Sequence, residues 1–346
     1  MDIPNIPVTG TTGHPPARTV AVTGANGMVG RHLISLLLER GDRVIALVRD
    51  PEHAQLPDSV EVRRWQASDP AAPLHGADAV VNLVGPPIFA QPWTDARKRE
   101  LAEVRIQAVR SIIEGVRQTH SSVKNSVKTF LSSSAVEYGG DTGDQITDET
   151  AGPGHGFLAE MGQQWEAAAL DAAPLGVQVV LMRHGLVLGR EGATFATLLP
   201  VFRRGFGGTL GHPKTWVSWI HVDDDARLAL HVLDHEELSG PVVFAAPNPV
   251  TQRDFAHAFG RALNKPAILP MPPFALRLMY GERADLFLDS HRAMPRQALA
   301  SGFEFKYPVI EAALRDLADE TPSDRALLTD AKKGESENAL AISRAE

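Results

Sequence analysis

The joint between a short apolar strand and an amphipathic helix constrains this chain more than any other feature. Val20, Ala21 and Val22 run into Thr23-Gly24-Ala25-Asn26-Gly27-Met28-Val29-Gly30, and the helix beyond carries Val29, Leu33, Leu36 and Leu37 on one face. Each glycine at this joint has a task. Gly24 permits the tight turn, Gly27 lets the backbone approach a pyrophosphate with no Cβ in the way, and Gly30 lets the helix pack closely on the strand. The free N–H groups of the new helix then face the anion. Gly41 closes the helix as a C-terminal cap, and the apolar run 44–48 reads as a second buried strand, completing a βαβ unit. The spacing is Gly-x-x-Gly-x-x-Gly rather than Gly-x-Gly-x-x-Gly, so the strand and helix around it carry the reading. A superficially similar stretch at 8–13 sits among Pro4, Pro7, Pro15 and Pro16 with no apolar run before it. Residues 1–17 are therefore read as a flexible leader.

The end of the second strand bears on the nucleotide. In such units an acidic residue ~20 positions beyond the glycines holds the ribose hydroxyls of NAD, whereas an arginine accommodates the 2′-phosphate of NADP. Here the strand ends in Val48-Arg49-Asp50. The planar cation of Arg49 suits a phosphate and favours NADP(H), while Asp50 keeps NAD(H) open.

Strand and helix patterns alternate along most of the chain. Short apolar runs at 60–65, 79–84, 129–132, 177–182 and 242–245 read as strands, and helical periodicity spans 95–118, 157–173 and 224–238. The run at 79–84 is nearly all apolar, as a strand covered on both faces requires. The expected fold class is α/β: a Rossmann-type, doubly wound parallel sheet with a small, mainly helical C-terminal lobe. Thr251-x-x-Asp254 can cap a helix running to Leu263, after which Pro266, Pro270, Pro272 and Pro273 punctuate a connector. The expected division is 18–265 for the nucleotide-binding domain, 266–318 for the small domain and 319–346 for a disordered polar tail.

Bulk properties exclude several functions. A net charge of −8 without a Lys/Arg cluster disfavours nucleic-acid binding, because backbone phosphates must be met by clustered cations. There is no cysteine, which removes disulfides, thiolate nucleophiles and zinc–thiolate sites and fits a reducing, cytoplasmic setting. No apolar run approaches ~18 residues, so no membrane span is expected, and the leader lacks the basic and apolar regions of a secretory signal. The expected partner is a small-molecule substrate, with no nucleic acid and no membrane. The oligomeric state, monomer or homodimer, stays open.

Gly24-x-x-Gly27-x-x-Gly30, Asn82-Leu83-Val84-Gly85 and Ser132-Ser133-Ser134-Ala135, in this order, resemble an extended short-chain dehydrogenase/reductase. Further motifs narrow the resemblance. Trp93-Thr94 with Lys98 and Arg105, Trp165-Glu166, the Arg183-to-Gly189 stretch, Gly207-Gly208-x-x-Gly211, the Ser218-to-Asp224 stretch, the Ala246-to-Val250 stretch and Ser301-Gly302-Phe303-Glu304-Phe305 are similar to an atypical, epimerase-family subgroup that includes human short-chain reductase family 39U. The similarity covers about residues 19 to 318. It implies an extended Rossmann domain, NADP(H) and a short C-terminal domain, and it leaves the substrate open. Carried onto this chain, it places Gly24, Asn26, Gly27, Met28, Val29, Arg49, Leu83, Val84, Gly85, Arg105 and Arg183 at the cofactor.

The usual chemistry of the superfamily is missing. Its typical members use a tyrosine whose pKa is lowered by a lysine four residues on, since a phenol near ~10 needs that help at neutral pH. Four residues beyond Tyr138, Tyr280 and Tyr307 stand Thr142, Ala284 and Glu311, and the corresponding slot holds Phe157 and Met161. Ser134 matches the superfamily's active-site serine and is expected to orient a substrate carbonyl or hydroxyl, or else to satisfy backbone at a strand end. Tyr138 offers a hydroxyl from the same loop or packs beside the cofactor. His155 is a surrogate base or a solvated loop histidine. Arg183 pairs with cofactor or substrate anions, or with Glu166. Trp165 and Glu166 read as a core anchor and a carboxylate holding a loop, and His221, Asp223 and Asp224 read as a helix start rather than a metal site. Pro86-Pro87 replaces the Glu-Pro usual in the subgroup, and Glu137 and Gly139 replace a Gly and a Tyr. The expected function is an NADP(H)-dependent oxidoreductase or epimerase-like enzyme acting on a small carbonyl, hydroxyl or sugar-like substrate. The alternative is a non-catalytic NADP(H)-binding protein that controls a partner.

Overall fold

A computed structural model describes residues 17–120 and 127–319; the expected leader, apart from its last residue, and the tail from residue 320 lie outside it. Seven parallel strands form the central sheet in the order β7-β6-β5-β4-β1-β2-β3. They are β1 (Thr19–Thr23), β2 (Arg43–Val48), β3 (Glu61–Arg64), β4 (Ala79–Asn82), β5 (Thr129–Ala135), β6 (Gln178–His184) and β7 (Gly240–Phe244). The order turns back between β1 and β4, the switch point at which an open α/β sheet leaves a crevice at its carboxyl edge.

Alternation along the strands separates two cores. Val20, Val22, Val44 and Ala46 face α1 (Met28–Arg40), through Leu33, Ile34 and Leu37, and α5 (Val222–Asp234), through Leu228 and Val232. Ala21, Ile45, Leu47, Val80 and Phe130 face α2 (Asp95–His120), through Val109 and Ile112, and α3 (Phe157–Leu170), through Trp165 and Ala169. Both faces are covered, which is why the strands read as continuous apolar runs. A third cluster joins α4 (Ala193–Arg203), α6 (Gln252–Ala262) and the last described helix, Ile310–Ala318, around Phe195, Phe202, Phe259 and Leu314. The C-terminal segment thus shares one core with α4 and α6. Between α6 and that last helix lie α7 (Pro273–Tyr280), α8 (Asp285–Leu288) and a short turn of helix at Arg296–Ala300.

Two helix starts show how local chemistry sets the boundaries. Thr251 Oγ1 accepts from the backbone N–H of Asp254 at 3.2 Å, the cap expected from the sequence. Contrary to the expected start at Asp224, α5 begins two residues earlier at Val222, because the His221 ring nitrogen takes the cap and accepts from Asp223 N at 3.1 Å. Asp224 is thereby freed for another task. Fully buried, it accepts from the backbone N–H groups of Lys306 at 2.8 Å and Tyr307 at 2.7 Å and ties the C-terminal segment to α5.

Candidate active site at the carboxyl edge

The glycine turn sits at the switch point and its geometry is specific to glycine. Gly24 has φ +66°, and a Cβ there would stand 2.8 Å from the Leu83 carbonyl oxygen. A Cβ on Gly30 would collide with the Gly24 carbonyl and lie 3.0 Å from Ala25 Cα. Across the gap, Thr23 Oγ1 donates to Asn82 Oδ1 at 2.8 Å and accepts from Leu83 N at 3.1 Å, which fixes the ends of β1 and β4 relative to each other. Gly27 caps α1 without any side-chain acceptor, so the first N–H groups of the helix open toward the crevice. Asn26 and Gly27 are exposed, and Met28 and Val29 are partly so. The floor is therefore bare backbone with a positive dipole end, the cradle a diphosphate requires. From the far side, Arg31 bonds the Asn26 carbonyl and pairs with Glu191, closing the loop at 189–192 over the turn.

At the end of β2 the two candidate selectors behave differently. Asp50 is occupied: it caps the short helical turn Pro51–His53, accepting from Glu52 N at 3.2 Å and binding His53 Nδ1 at 2.7 Å. The hydrogen bond from His53 holds its carboxyl below the ordinary aspartate range. Arg49 is exposed and has no side-chain partner among the described residues.

Arg105 and Arg183 lie deeper than the cofactor assignment implies. The Arg105 guanidinium lies under the β4 loop, so that a Cβ on Gly85 would stand 3.0 Å from Nη2. It donates to the carbonyls of Leu101 at 2.8 Å and Pro86 at 3.2 Å and faces the Trp165 ring at 5.3 Å. Burial, with nearby Arg97, brings its pKa down to about 10, which leaves it charged at neutral pH. It supports the strand end that carries Leu83, Val84 and Gly85. Arg183 forms a bidentate pair with Glu166, Nε to Oε1 and Nη2 to Oε2, both 2.8 Å, with each side chain 5% exposed. The second sequence reading of Arg183, the ion pair, is the arrangement present.

Glu166 is the hub of this site. Ser134 Oγ donates to its Oε1 at 2.5 Å, and the Arg183 guanidinium lies 3.8 Å from the centroid of the Tyr138 ring. Ser134, Tyr138, Glu166 and Arg183 thus form one stacked, hydrogen-bonded unit at the end of β5. With its proton committed to Glu166, the Ser134 oxygen is left as an acceptor. It can receive a substrate hydroxyl; it does not point a donor at a carbonyl.

His155 belongs to a different group. It lies exposed before α3 and lines a small cavity with Trp93, Glu137, Phe157, Asp285, Asp289 and His291. Phe157, which fills the tyrosine slot, stands edge-on to Trp93 at 5.1 Å. The acidic wall comes from α8 and the residues after it, and sequence reasoning missed it. Half-buried and surrounded by Asp285, Asp141 and Glu137, Asp289 has its pKa pushed up to about 6, first by burial and then by Asp285.

A seven-stranded, doubly wound sheet with a glycine cradle at its switch point defines a Rossmann-type nucleotide-binding fold. The "NAD dependent epimerase/dehydratase family" model matches residues 20–245, and a "Domain of unknown function (DUF1731)" matches 271–317. The chain belongs to the NAD dependent epimerase/dehydratase family. It is 35% identical to an epimerase family protein of Mycobacterium leprae over 85% of this chain and 94% of that one. Its identity to the chloroplastic SDR39U1 homolog of Arabidopsis thaliana is 34%, over 86% of each. Among solved structures, human epimerase family protein SDR39U1, crystallised with NADPH, superposes with a TM-score of 0.78 at 28% identity, covering 88% of this chain and 100% of that chain.

Proposed function

We propose that this chain is an NADP(H)-binding oxidoreductase of the epimerase family, acting on a small carbonyl, hydroxyl or sugar-like substrate without a Tyr-x-x-x-Lys pair. The observation that carries the cofactor choice is the contrast at the end of β2: among the described residues Arg49 has no side-chain partner, whereas Asp50 is engaged. The NADPH in the crystals of the human relative supports the same choice. The glycine turn fits a diphosphate, because Gly24, Gly27 and Gly30 carry no Cβ and the first turn of α1 has no side-chain cap. When bound, the nicotinamide supplies or takes up a hydride. The chain's own residues hold the diphosphate on the backbone of 24–29, meet the 2′-phosphate with Arg49, and present Ser134 as an acceptor locked by Glu166. A single small-molecule substrate is the expected partner. Among the described residues no helix is long and apolar enough to cross a membrane.

One observation favours a second reading, a non-catalytic NADP(H)-binding protein: the Ser134 proton and the Arg183 Nε and Nη2 donors are turned inward on Glu166, Nη1 serves the carbonyls of Glu149 and Ala151, and Phe157 and Met161 occupy the Tyr and Lys slots. Calorimetry on the wild type and Arg49→Asp tests the cofactor reading. Losing a charge-assisted phosphate contact of ~1.5–3 kcal/mol is expected to weaken NADPH by roughly 10- to 100-fold and NADH by less than about threefold. Equal losses for both nucleotides refute the 2′-phosphate role. Oxidation of NADPH with a defined product separates the enzyme from the silent binder.

A further inference from the structure

The tyrosine slot is filled by Phe157, which exchanges no proton, but the cavity beside it holds groups that can. We propose that Asp289, carried by the C-terminal segment, is the general acid and base of this active site and takes the place of the missing tyrosine. This rests on the oxidoreductase reading above.

Asp289 shares a cavity of about 40 Å³ with Phe157, which stands in the tyrosine slot itself, and with His155 and Glu137. A volume of that size admits a water or two, so a carboxyl there can exchange a proton with a group at the cavity mouth through one water. Such a cavity also gives the group a path to solvent for its next proton.

The neighbouring residue, Ser290, is bound on every side: its N–H donates to Asp141 Oδ1 at 3.1 Å, its Oγ donates to the Gly143 carbonyl at 2.6 Å and accepts from Trp216 N at 3.0 Å, and its carbonyl accepts from Thr142 N at 3.0 Å. His291 N donates to the Trp216 carbonyl at 3.1 Å, and Ser218 Oγ donates to the His291 carbonyl at 2.8 Å. Arg292–Ala293 then pairs with Ile146–Thr147 as a short parallel ribbon. The backbone that carries Asp289 is held as firmly as a sheet strand, as a catalytic group requires.

The Asp289 carboxylate makes no hydrogen bond among the described residues. Its one favourable electrostatic neighbour among them is His291. The facing titratable groups are Asp285 on α8, Asp141 and Glu137 from the β5 loop, His155 before α3 and His291 two residues on. Asp285 is paired with Arg277, and Asp141 serves the backbone of Gly143 and Ser290. A half-buried carboxyl among three others, with only His291 to offset them, is a functional-site candidate rather than a structural ion pair. The same surroundings raise its pKa to about 6, close to the value a neutral-pH acid needs.

In carbonyl reduction the substrate carbon gains a hydride from reduced nicotinamide, the named reductant, and the C=O π pair moves to oxygen. That oxygen takes the proton of the Asp289 carboxylic acid. The O–H bond of the acid breaks, its electron pair stays on the carboxylate, and solvent returns the proton through the cavity. In the oxidation direction the carboxylate accepts the proton of the substrate hydroxyl.

The experiment uses the full chain and two readouts. Carbon-13 NMR of protein labelled at aspartate carboxyls should show one group titrating near pH 6, absent in Asp289→Asn and moved lower in Asp285→Asn. If every aspartate titrates in the ordinary range near ~4, the inference is overturned. NADPH oxidation is then followed with a panel of small aldehydes, ketones and dicarbonyls. Asp289→Asn should lower kcat by ~100-fold or more, leave NADPH affinity and the melting temperature unchanged, and abolish the loss of rate that the wild type shows as pH rises through about 6. Asp289→Glu should restore part of the rate. Turnover that survives Asp289→Asn overturns this inference alone. A wild type that binds NADPH and turns over nothing on the panel overturns both this inference and the oxidoreductase reading.

Discussion

Glu166→Gln is the most informative single change, because one carboxylate neutralises Arg183 and fixes Ser134. Glu166 and Arg183 are each 5% exposed, so the guanidinium has no solvent to replace a lost counter-charge. Glutamine keeps the shape but puts an NH₂ where one carboxylate oxygen stood. At Oε2 it would face Arg183 Nη2, a donor, at 2.8 Å; at Oε1 it would face two donors, Ser134 Oγ at 2.5 Å and Arg183 Nε at 2.8 Å. Breaking a buried pair by removing one partner costs about 3–5 kcal/mol. At roughly 2–4 °C per kcal/mol for a chain of this order of size, the melting temperature should fall by roughly 6–20 °C. Glu166→Gln combined with Arg183→Met removes both charges, and it should recover at least ~2 kcal/mol of the single-variant loss. Urea unfolding of the four proteins gives the coupling energy directly. If Glu166→Gln loses less than about 1 kcal/mol, or the double variant loses the sum of the singles, then Glu166 is not the hub described.

Gly30→Ala pushes a Cβ into the Gly24 carbonyl and Ala25 Cα, backbone atoms that cannot step aside. Overpacking of ~1–3 kcal/mol at the diphosphate turn should reduce NADPH affinity by roughly tenfold or more in calorimetry, and unchanged binding would contradict the cradle. The pH dependence of stability should report His221. Its pKa is lowered, chiefly by burial, so the neutral ring is the folded form. The stability this contributes is complete above the unfolded value of ~6.5 and is lost as pH falls through the lower folded value. His221→Asn keeps an acceptor at the α5 cap, and its melting temperature should be flatter than that of the wild type below about pH 6.5; parallel curves would refute this.

The sheet was legible because its causes are local. Continuous apolar strands, the glycine joint and the Gly41 cap each state their own geometry, and Gly24, Gly27 and Gly30 need no distant residue to explain them. The start of α5 was misjudged by two residues because Asp223 and Asp224 look like first-turn acids, whereas the capping nitrogen belongs to the ring of His221. Arg183 was ambiguous for a related reason. Whether a strand-end arginine faces a ligand or a carboxylate depends on the rotation of α3, which sets where Glu166 points. The acidic wall was invisible. Asp285 and Asp289 meet Glu137 and His155 only after more than a hundred residues of intervening chain have folded, and no spacing rule encodes that meeting.

That wall also explains why a parallel sheet of this kind carries the extra C-terminal segment. A carboxyl-edge crevice is open outward, and a proton-exchanging site needs water excluded and groups held still. The loops of β4 and β5 provide the inner side only. Arg283 bonds the Phe89 carbonyl at 2.8 Å, Lys98 pairs with Glu282, and Ser290 locks onto 141–143, so residues 282–291 close the outer side against both loops at once. The tie is reciprocal, because the fully buried carboxylate of Asp224 has the N–H groups of Lys306 and Tyr307 and the Arg227 guanidinium, at 2.8 Å, for partners. Without that segment a buried carboxylate in α5 would lose two of its three donors, at about 1–3 kcal/mol for each group left unsatisfied. Sheet and segment are therefore tied together at both ends, and the cavity between them is lined by both rather than by either part.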